Sequence, residues 1–322
     1  MSKIPGNQLL NLIYNAKNLA NIGSDSFTVQ QIEDCAVVPV AKQEVLYTAD
    51  FGPLVGKDYF IAGKIAALNA ISDIYAMGGI PRYALVLLTL DNSLGTQEKE
   101  QILAGLYHAC QEEKIVVVGG HTIYGKETLA GLSVIGEAGG NDILYKKTCH
   151  VGDAILISKP LGTGLALRGY YHGILNEDQY QKAIDVLQKS NIVDKLILNS
   201  MYTHAMTDVT GFGFIGHLTE MLGNNKGARI YLDQVPYLES INDLCVNVML
   251  NNYISNNYDY ASEHHRIKSE LNSIKKLALF DPQTNGPIMI CADKKFVADV
   301  QRLGYHFVGE VIETNEIALI GD

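Results

Sequence analysis

Four aspartates stand where the surrounding pattern should exclude charge. Asp73 lies inside the otherwise apolar helical run 64–77, which is closed by Gly78-Gly79 and Pro81. Asp50 ends the strand-like stretch 45–49, Asp208 follows Thr207 and opens onto Val209-Thr210-Gly211-Phe212-Gly213, and Asp34 precedes the apolar run 35–40. A carboxylate in an apolar setting is costly unless a cation or hydrogen bonds compensate it. Several of them beside glycine-rich turns suggest a divalent-metal and phosphate site, and so nucleotide chemistry. Mg²⁺ shared with phosphates takes hard oxygen ligands of this kind.

Each segment also has a structural reading. Asn69 and Asp73 are four residues apart, so a helix places them on one face with Met77 following. They can project into a metal-nucleotide cleft or form a satisfied polar pair in a core. Gly119-Gly120-His121-Thr122 follows an apolar strand. Glycines there let backbone N–H groups approach a phosphate closely, although a plain turn with a structural histidine fits as well. No Walker A loop occurs. Asp208 can hold a cation or cap a helix over 212–222. Residues 279–287 read as a turn by composition.

These residues must be positioned by alternating helices and strands. The pattern predicts an amphipathic helix over 3–22 and strands over 35–40 and 44–49. A helix over 58–77, a strand over 83–90, a helix over 95–113 and a strand over 115–118 follow, the last running into the glycines, and a strand over 129–138 ends this half. Composition changes at 139–142. The second half carries a strand from 153, helices over 162–172, 180–192 and 212–224, and strands over 288–292 and 306–311. The polar stretch 250–276 reads as a loop plus a surface helix. Intermixed elements in both halves give an α/β (α+β) class with two domains, 1–150 and 151–322.

The 322 residues are 47% hydrophobic and carry a net charge of −10, enough apolar content for real cores and the wrong sign for a general nucleic-acid grip. Lys146-Lys147, Lys275-Lys276 and Lys294-Lys295 read as solvated surface. Five dispersed cysteines without C-x-x-C suit reduced thiols. With no secretory pattern at the N-terminus and no uncharged apolar run near the roughly 20 residues of a membrane span, a cytoplasmic protein without membrane partners is expected.

Taken in order, the segments 69–79, Gly119-Gly120-His121-Thr122, Thr207-Asp208-Val209-Thr210-Gly211-Phe212-Gly213, Gly216-His217-Leu218 and Asp281-Pro282-Gln283-Thr284 resemble selenophosphate synthetase (selenide, water dikinase). The resemblance covers nearly the whole chain. The Asp73 segment is shared with the wider aminoimidazole ribonucleotide synthetase-like superfamily, whereas the Thr207 and Asp281 segments are specific to the selenophosphate branch. It implies a two-domain fold of that superfamily with mixed sheets and flanking helices, and a homodimer formed through N-terminal domains that bind ATP and Mg²⁺. It implies the reaction ATP + selenide + water → selenophosphate + AMP + phosphate. Asp34, Asp73 and Asp208 match metal-binding positions. Gln31, Ile32, Glu33, Asp50, Asp73, Gly119, Gly120, His121 and Thr122 match positions on the nucleotide side. A selenium-delivery protein is a candidate partner.

The chain also departs from the family. A Cys or selenocysteine is expected three residues before an essential lysine. Lys3 matches that lysine, so the sequence is expected to lack the nucleophile. Either a selenocysteine codon upstream was read as a stop, or this homologue has lost selenium chemistry; the retained Lys3 and aspartates favour the first. Gln31-Ile32-Glu33 stands where the family has an Arg and a second Asp, Asn285-Gly286-Pro287 replaces Ser-Gly-Gly, and an Arg is missing around Asn256-Asn257. Lost arginines weaken bidentate phosphate binding. A sister enzyme releasing ADP and a degenerate nucleotide-binding paralogue are the rival readings.

Overall fold

The computed structural model describes residues 33–40, 43–140 and 142–321, with positions 12 and 16 besides. The helix expected over 3–22 lies almost wholly outside the described residues.

Two mixed sheets organise the chain. The first has the order β1-β2-β5-β3-β4, built from β1 (Ala36–Val40), β2 (Gln43–Pro53), β3 (Gly79–Asp91), β4 (Val116–Gly125) and β5 (Leu129–Ala138). The second has the order β7-β10-β6-β11-β8-β12-β9. Its strands are β6 (Ala154–Ile157), β7 (Thr203–Asp208), β8 (Gly227–Tyr231), β9 (Arg266–Ile267), β10 (Ile288–Ala292), β11 (His306–Ile312) and β12 (Glu316–Ile320). The longer helices are α1 (Tyr59–Ala76), α2 (Thr96–Glu112), α3 (Thr163–Tyr171), α4 (Glu177–Leu187), α5 (Gly213–Leu222), α6 (Asn252–His264) and α7 (Ile274–Phe280).

Helix α1 is the pivot of the molecule. Asp58 caps it by accepting from the Ile61 N–H at 2.9 Å, and Gly78, at φ +73°, ends it where a side chain would be strained. It has no polar face towards solvent, because the first sheet, α2 and the second half of the chain cover it on different sides. Gly63 and Gly105 let α1 and α2 approach so closely that a Cβ would meet a backbone carbonyl oxygen at 2.2 and 1.9 Å respectively.

Ile71 and Ile74 of α1 share one buried cluster with Ala154, Leu156, Met206, Ile288 and Ile290 of the second sheet. The opposite face of that sheet, with Ile155, Ala205, Met289 and Cys291, packs on α5 and α7. Strands β6 and β10 are therefore buried on both faces, which is why they read as unbroken apolar runs. The two halves are joined through a continuous apolar core, so side chains at their junction are held in fixed relation.

Two local expectations are corrected. Gly119-Gly120-His121-Thr122 is not a turn after a short strand but the middle of β4, in register with Leu85–Leu88 of β3. A Cβ at Gly120 would meet the Val86 carbonyl oxygen at 2.3 Å, so this glycine serves strand pairing. The helix α6 is no mere surface helix: Ile254, Asn257, Tyr260 and Ala261 are buried. β7, β8, β9 and β12 carried no sequence signal strong enough to be expected.

Candidate active site

Asp34, Asp73 and Asp208 each offer a carboxylate oxygen within 4.8 Å of the others. They come from the approach to β1, from the middle of α1 and from the end of β7. Asp73 is buried and accepts from the Thr48 hydroxyl at 2.5 Å. Asp208 is buried and accepts from the Ser72 hydroxyl at 2.6 Å. Ser72 in turn accepts from Asn191 Nδ2 at 2.8 Å, and the same amide donates to the Gly286 carbonyl at 2.8 Å. Asp208 does not cap α5, whose N-terminus at Phe212 has no side-chain cap. Asp34 Oδ1 accepts from Thr207 Oγ1 at 3.1 Å, while Oδ2 is buried with no partner among the described residues.

Lys146 completes this pocket. Its ammonium lies 2.6 Å from Asp34 and 3.2 Å from Glu220, with all three side chains almost fully enclosed. The surface reading of Lys146 is thus corrected. Burial alone would push its pKa down, but Asp34 and Glu220 outweigh that and hold it well above the ordinary range. Asp34 goes the other way: burial raises it to about 6, against the pull of Lys146 and with the Asp208 charge adding to the rise. Glu220, equally buried, is drawn down to about 2 by Lys146 and His217. The same cation serves two buried carboxylates with opposite outcomes, because Asp34 also faces Asp208 whereas Glu220 is also bonded by His217. A second cation between Asp34, Asp73 and Asp208 would relieve that repulsion.

Beside the acidic group, Asn69 Nδ2 donates to Asp50 at 2.7 Å and Asn69 Oδ1 accepts from the Asn285 N–H at 2.7 Å. Asp50, Asn69, Thr210 and Gln283 line a cleft of about 240 Å³ between the two halves. Asn285 sits at φ +45°, a conformation Asn tolerates better than most residues. Its amide donates to the Leu187 and Lys189 carbonyls. The Asp281 segment is a buried latch rather than a loose turn. Arg168 reaches Asp281 at 2.6 Å, and Thr163 donates to Gln283 at 2.7 Å. Asn257, where an arginine was missed, donates to the Gly211 and Phe280 carbonyls and ties two site segments together.

The described chain does not bring every expected residue here. Gly119, Gly120, His121 and Thr122 are exposed on β4, the edge strand three inter-strand spacings from β2, or about 14 Å. Glu33 adjoins the pocket and accepts from the Lys146 N–H at 3.0 Å. Lys3, Gln31 and Ile32 lie outside the described residues. Cys35 is close to the acidic group, but burial and then the Asp73 and Asp34 charges push its thiol well up, away from the thiolate form.

Residues 32–138 match the N-terminal domain and residues 150–322 the C-terminal domain of AIR synthase related proteins. A selenide, water dikinase of Clostridium botulinum (strain Alaska E43 / Type E3) is 30% identical over 304 residues, covering 92% of this chain and 86% of the relative. The chain belongs to the selenide, water dikinase family. A second member, from Carboxydothermus hydrogenoformans, is 34% identical over 265 residues, covering 82% of this chain and 77% of its own length. Among solved structures, thiamine monophosphate kinase from Aquifex aeolicus superposes with a TM-score of 0.67 at 21% identity, over 98% of both chains. Hydrogenase maturation protein HypE gives 0.61 at 18% identity, over 88% of this chain and 84% of its own. Those two likenesses show that this selenide, water dikinase family member has the two-domain fold that the sequence implied. Among the described residues no helix is long and apolar enough to cross a membrane.

Proposed function

We propose that this chain is a Mg²⁺-dependent selenophosphate synthetase of the cytoplasm, converting ATP, selenide and water to selenophosphate, AMP and phosphate. The observation that carries the reading is the group Asp34, Asp73 and Asp208, gathered from both halves of a chain whose relatives are named for this reaction. The donors fit Mg²⁺: all are hard oxygens, and Asp34 Oδ2 is buried without a partner among the described residues. Bound there, the metal would neutralise the triphosphate and the charge that develops on it during transfer.

The protein's own part is orientation. Thr48, Ser72 and Thr207 fix the three carboxylates. Lys146 offsets their mutual repulsion from behind without entering the cleft. Glu33, Asp50 and Asp73, with Gln31 and Ile32, are assigned to the nucleotide side, and Lys3 to the transferring phosphoryl group or selenide.

A homodimer accounts for the stranded residues of β4. One face of the first sheet is covered by α1, while the other presents Val38, Tyr47, Phe51, Tyr83 and Leu85 to solvent. Strand register places Tyr47 and Tyr83 in one row through Ile135, and His121 lies on the same face opposite Leu87. Apolar rows of this kind mark an association surface. Pairing two such faces would set His121 towards a second copy.

Anaerobic incubation with Mg²⁺-ATP and selenide should release AMP and phosphate in equal amounts. ADP accumulating as the final nucleotide would overturn the reading in favour of a sister kinase. Mg²⁺-ATP binding with no turnover, even in a chain carrying the Cys or selenocysteine expected before Lys3, would leave a nucleotide-binding paralogue instead.

A further inference from the structure

A second group of ligating side chains lies at the other end of β7. His150, Asp153 and His204 each place one ligand atom within 4.8 Å of the others. The arrangement is held from several directions. Asp153 is buried, and its Oδ2 accepts from the His150 N–H at 2.7 Å, closing a tight turn in which Gly152 takes φ +95°. His204 Nδ1 lies 2.8 Å from Asp153 Oδ1 and 3.0 Å from Oδ2. The two imidazole centroids are 4.1 Å apart, tilted by 47°. The Thr148 hydroxyl donates to the His204 carbonyl, fastening the connection between the two halves to β7.

We propose that His150, Asp153 and His204 form a transition-metal site, distinct in place and in chemistry from the aspartate group. Two imidazoles and one carboxylate suit Zn²⁺, Co²⁺ or Ni²⁺, whereas an all-oxygen set suits Mg²⁺. His204 Nδ1 and Asp153 Oδ1, 2.8 Å apart, are spaced as two neighbouring ligand atoms of one ion, which would replace the proton between them.

The position gives such a metal a structural consequence. His204 and Asp208 are four residues apart on one strand, about 13 Å, with the register shift of β7 against β10 falling at His204. Lys146, at the other end of the same connection, holds Asp34. A metal here pins the segment between Lys146 and β7 at the end remote from the aspartates. It would steady both without touching the nucleotide cleft.

The test is titration of the untagged, chelator-treated full chain with Co²⁺ in excess Mg²⁺, reading the visible absorption of the bound ion, followed by Zn²⁺ competition. One equivalent of Co²⁺ that Mg²⁺ does not displace is expected, with nitrogen-ligand absorption bands. His150→Ala should weaken it at least about tenfold. His150 is exposed, so this variant should keep the melting temperature of the metal-free protein, while Asp34→Asn should leave Co²⁺ binding unchanged. Absence of a Mg²⁺-resistant equivalent, or wild-type Co²⁺ affinity in both His150→Ala and His204→Gln, would overturn the proposal and leave Asp153 and His204 as a structural pair.

Discussion

Asp34, Asp73 and Asp208 come from three separate elements and meet in the interior, whereas Gly119 to Thr122 are consecutive in sequence and lie exposed on one edge strand. The first group is complete within one chain. Its hydroxyl donors and its lysine are already in place, and the apolar junction between the halves fixes their spacing. Among the described residues, the second has neither a wall opposite it nor a ligand-sized hollow around it. On the proposed function, chain folding supplies the metal side of the site and association supplies the rest. The comparison separates what depends on stability from what depends on assembly.

The sharpest way to break it is at Lys146. Replacing it with Met would leave Asp34 and Glu220 buried with their shared cation gone, which should cost about 3–5 kcal/mol in chemical denaturation. A loss under about 1 kcal/mol would show that the pocket relaxes and is not preorganised.

Asp208→Asn tests the metal side alone. The amide keeps a partner for Ser72 and removes one of three crowded charges, so stability without Mg²⁺ should not fall. Mg²⁺-dependent turnover should drop by at least about 100-fold, since losing a direct ligand exceeds the effect of an outer-shell change. Unaltered Mg²⁺ dependence would remove Asp208 from the ligand set.

Phe51→Asp tests the assembly side. A charge on the outward row should shift the protein from dimer to monomer in sedimentation and lower ATP turnover, with the melting temperature of the single chain little changed. A variant that stays dimeric would place the interface elsewhere.

The smallest effect concerns Lys159, buried behind Asn285 and donating to the Lys189 and Asn285 carbonyls at 2.7 and 3.0 Å. Burial pulls its pKa down to about 7. Above that value the folded protein holds fewer protons than the unfolded chain, so this group makes stability rise between about pH 7 and the ordinary lysine range, with little dependence below. Lys159→Met should flatten that rise, an effect of about 2–3 kcal/mol at pH 9 read from melting temperature against pH. An unchanged slope would mean that Lys159 stays charged.

The aspartates were legible in the sequence because a charge inside an apolar run is conspicuous without any knowledge of the fold. Lys146 was not, because a Lys-Lys pair looks like surface and its partners lie at Asp34 and Glu220, distant in sequence. Asn191 and Asn257 escaped for the same reason: a single amide in a polar stretch gives no periodic signal, though each joins segments far apart. Asn285 did leave a trace, since Asn-Gly is a turn dipeptide tolerant of positive φ. The glycines of β4 misled because glycine usually ends a strand, whereas here close pairing with Val86 requires it. His150 and His204 approach only through the order of the second sheet, where β10, which follows both in the chain, lies between β6 and β7.

The most direct test of the account is phosphorus NMR of the protein with Mg²⁺-ATP and anaerobic, isotopically enriched selenide. The account predicts a resonance split by bonded selenium, growing in step with AMP and phosphate and abolished when Asp208 is Asn. Nucleotide consumed without any selenium-split signal, with ADP as the final product, would contradict it.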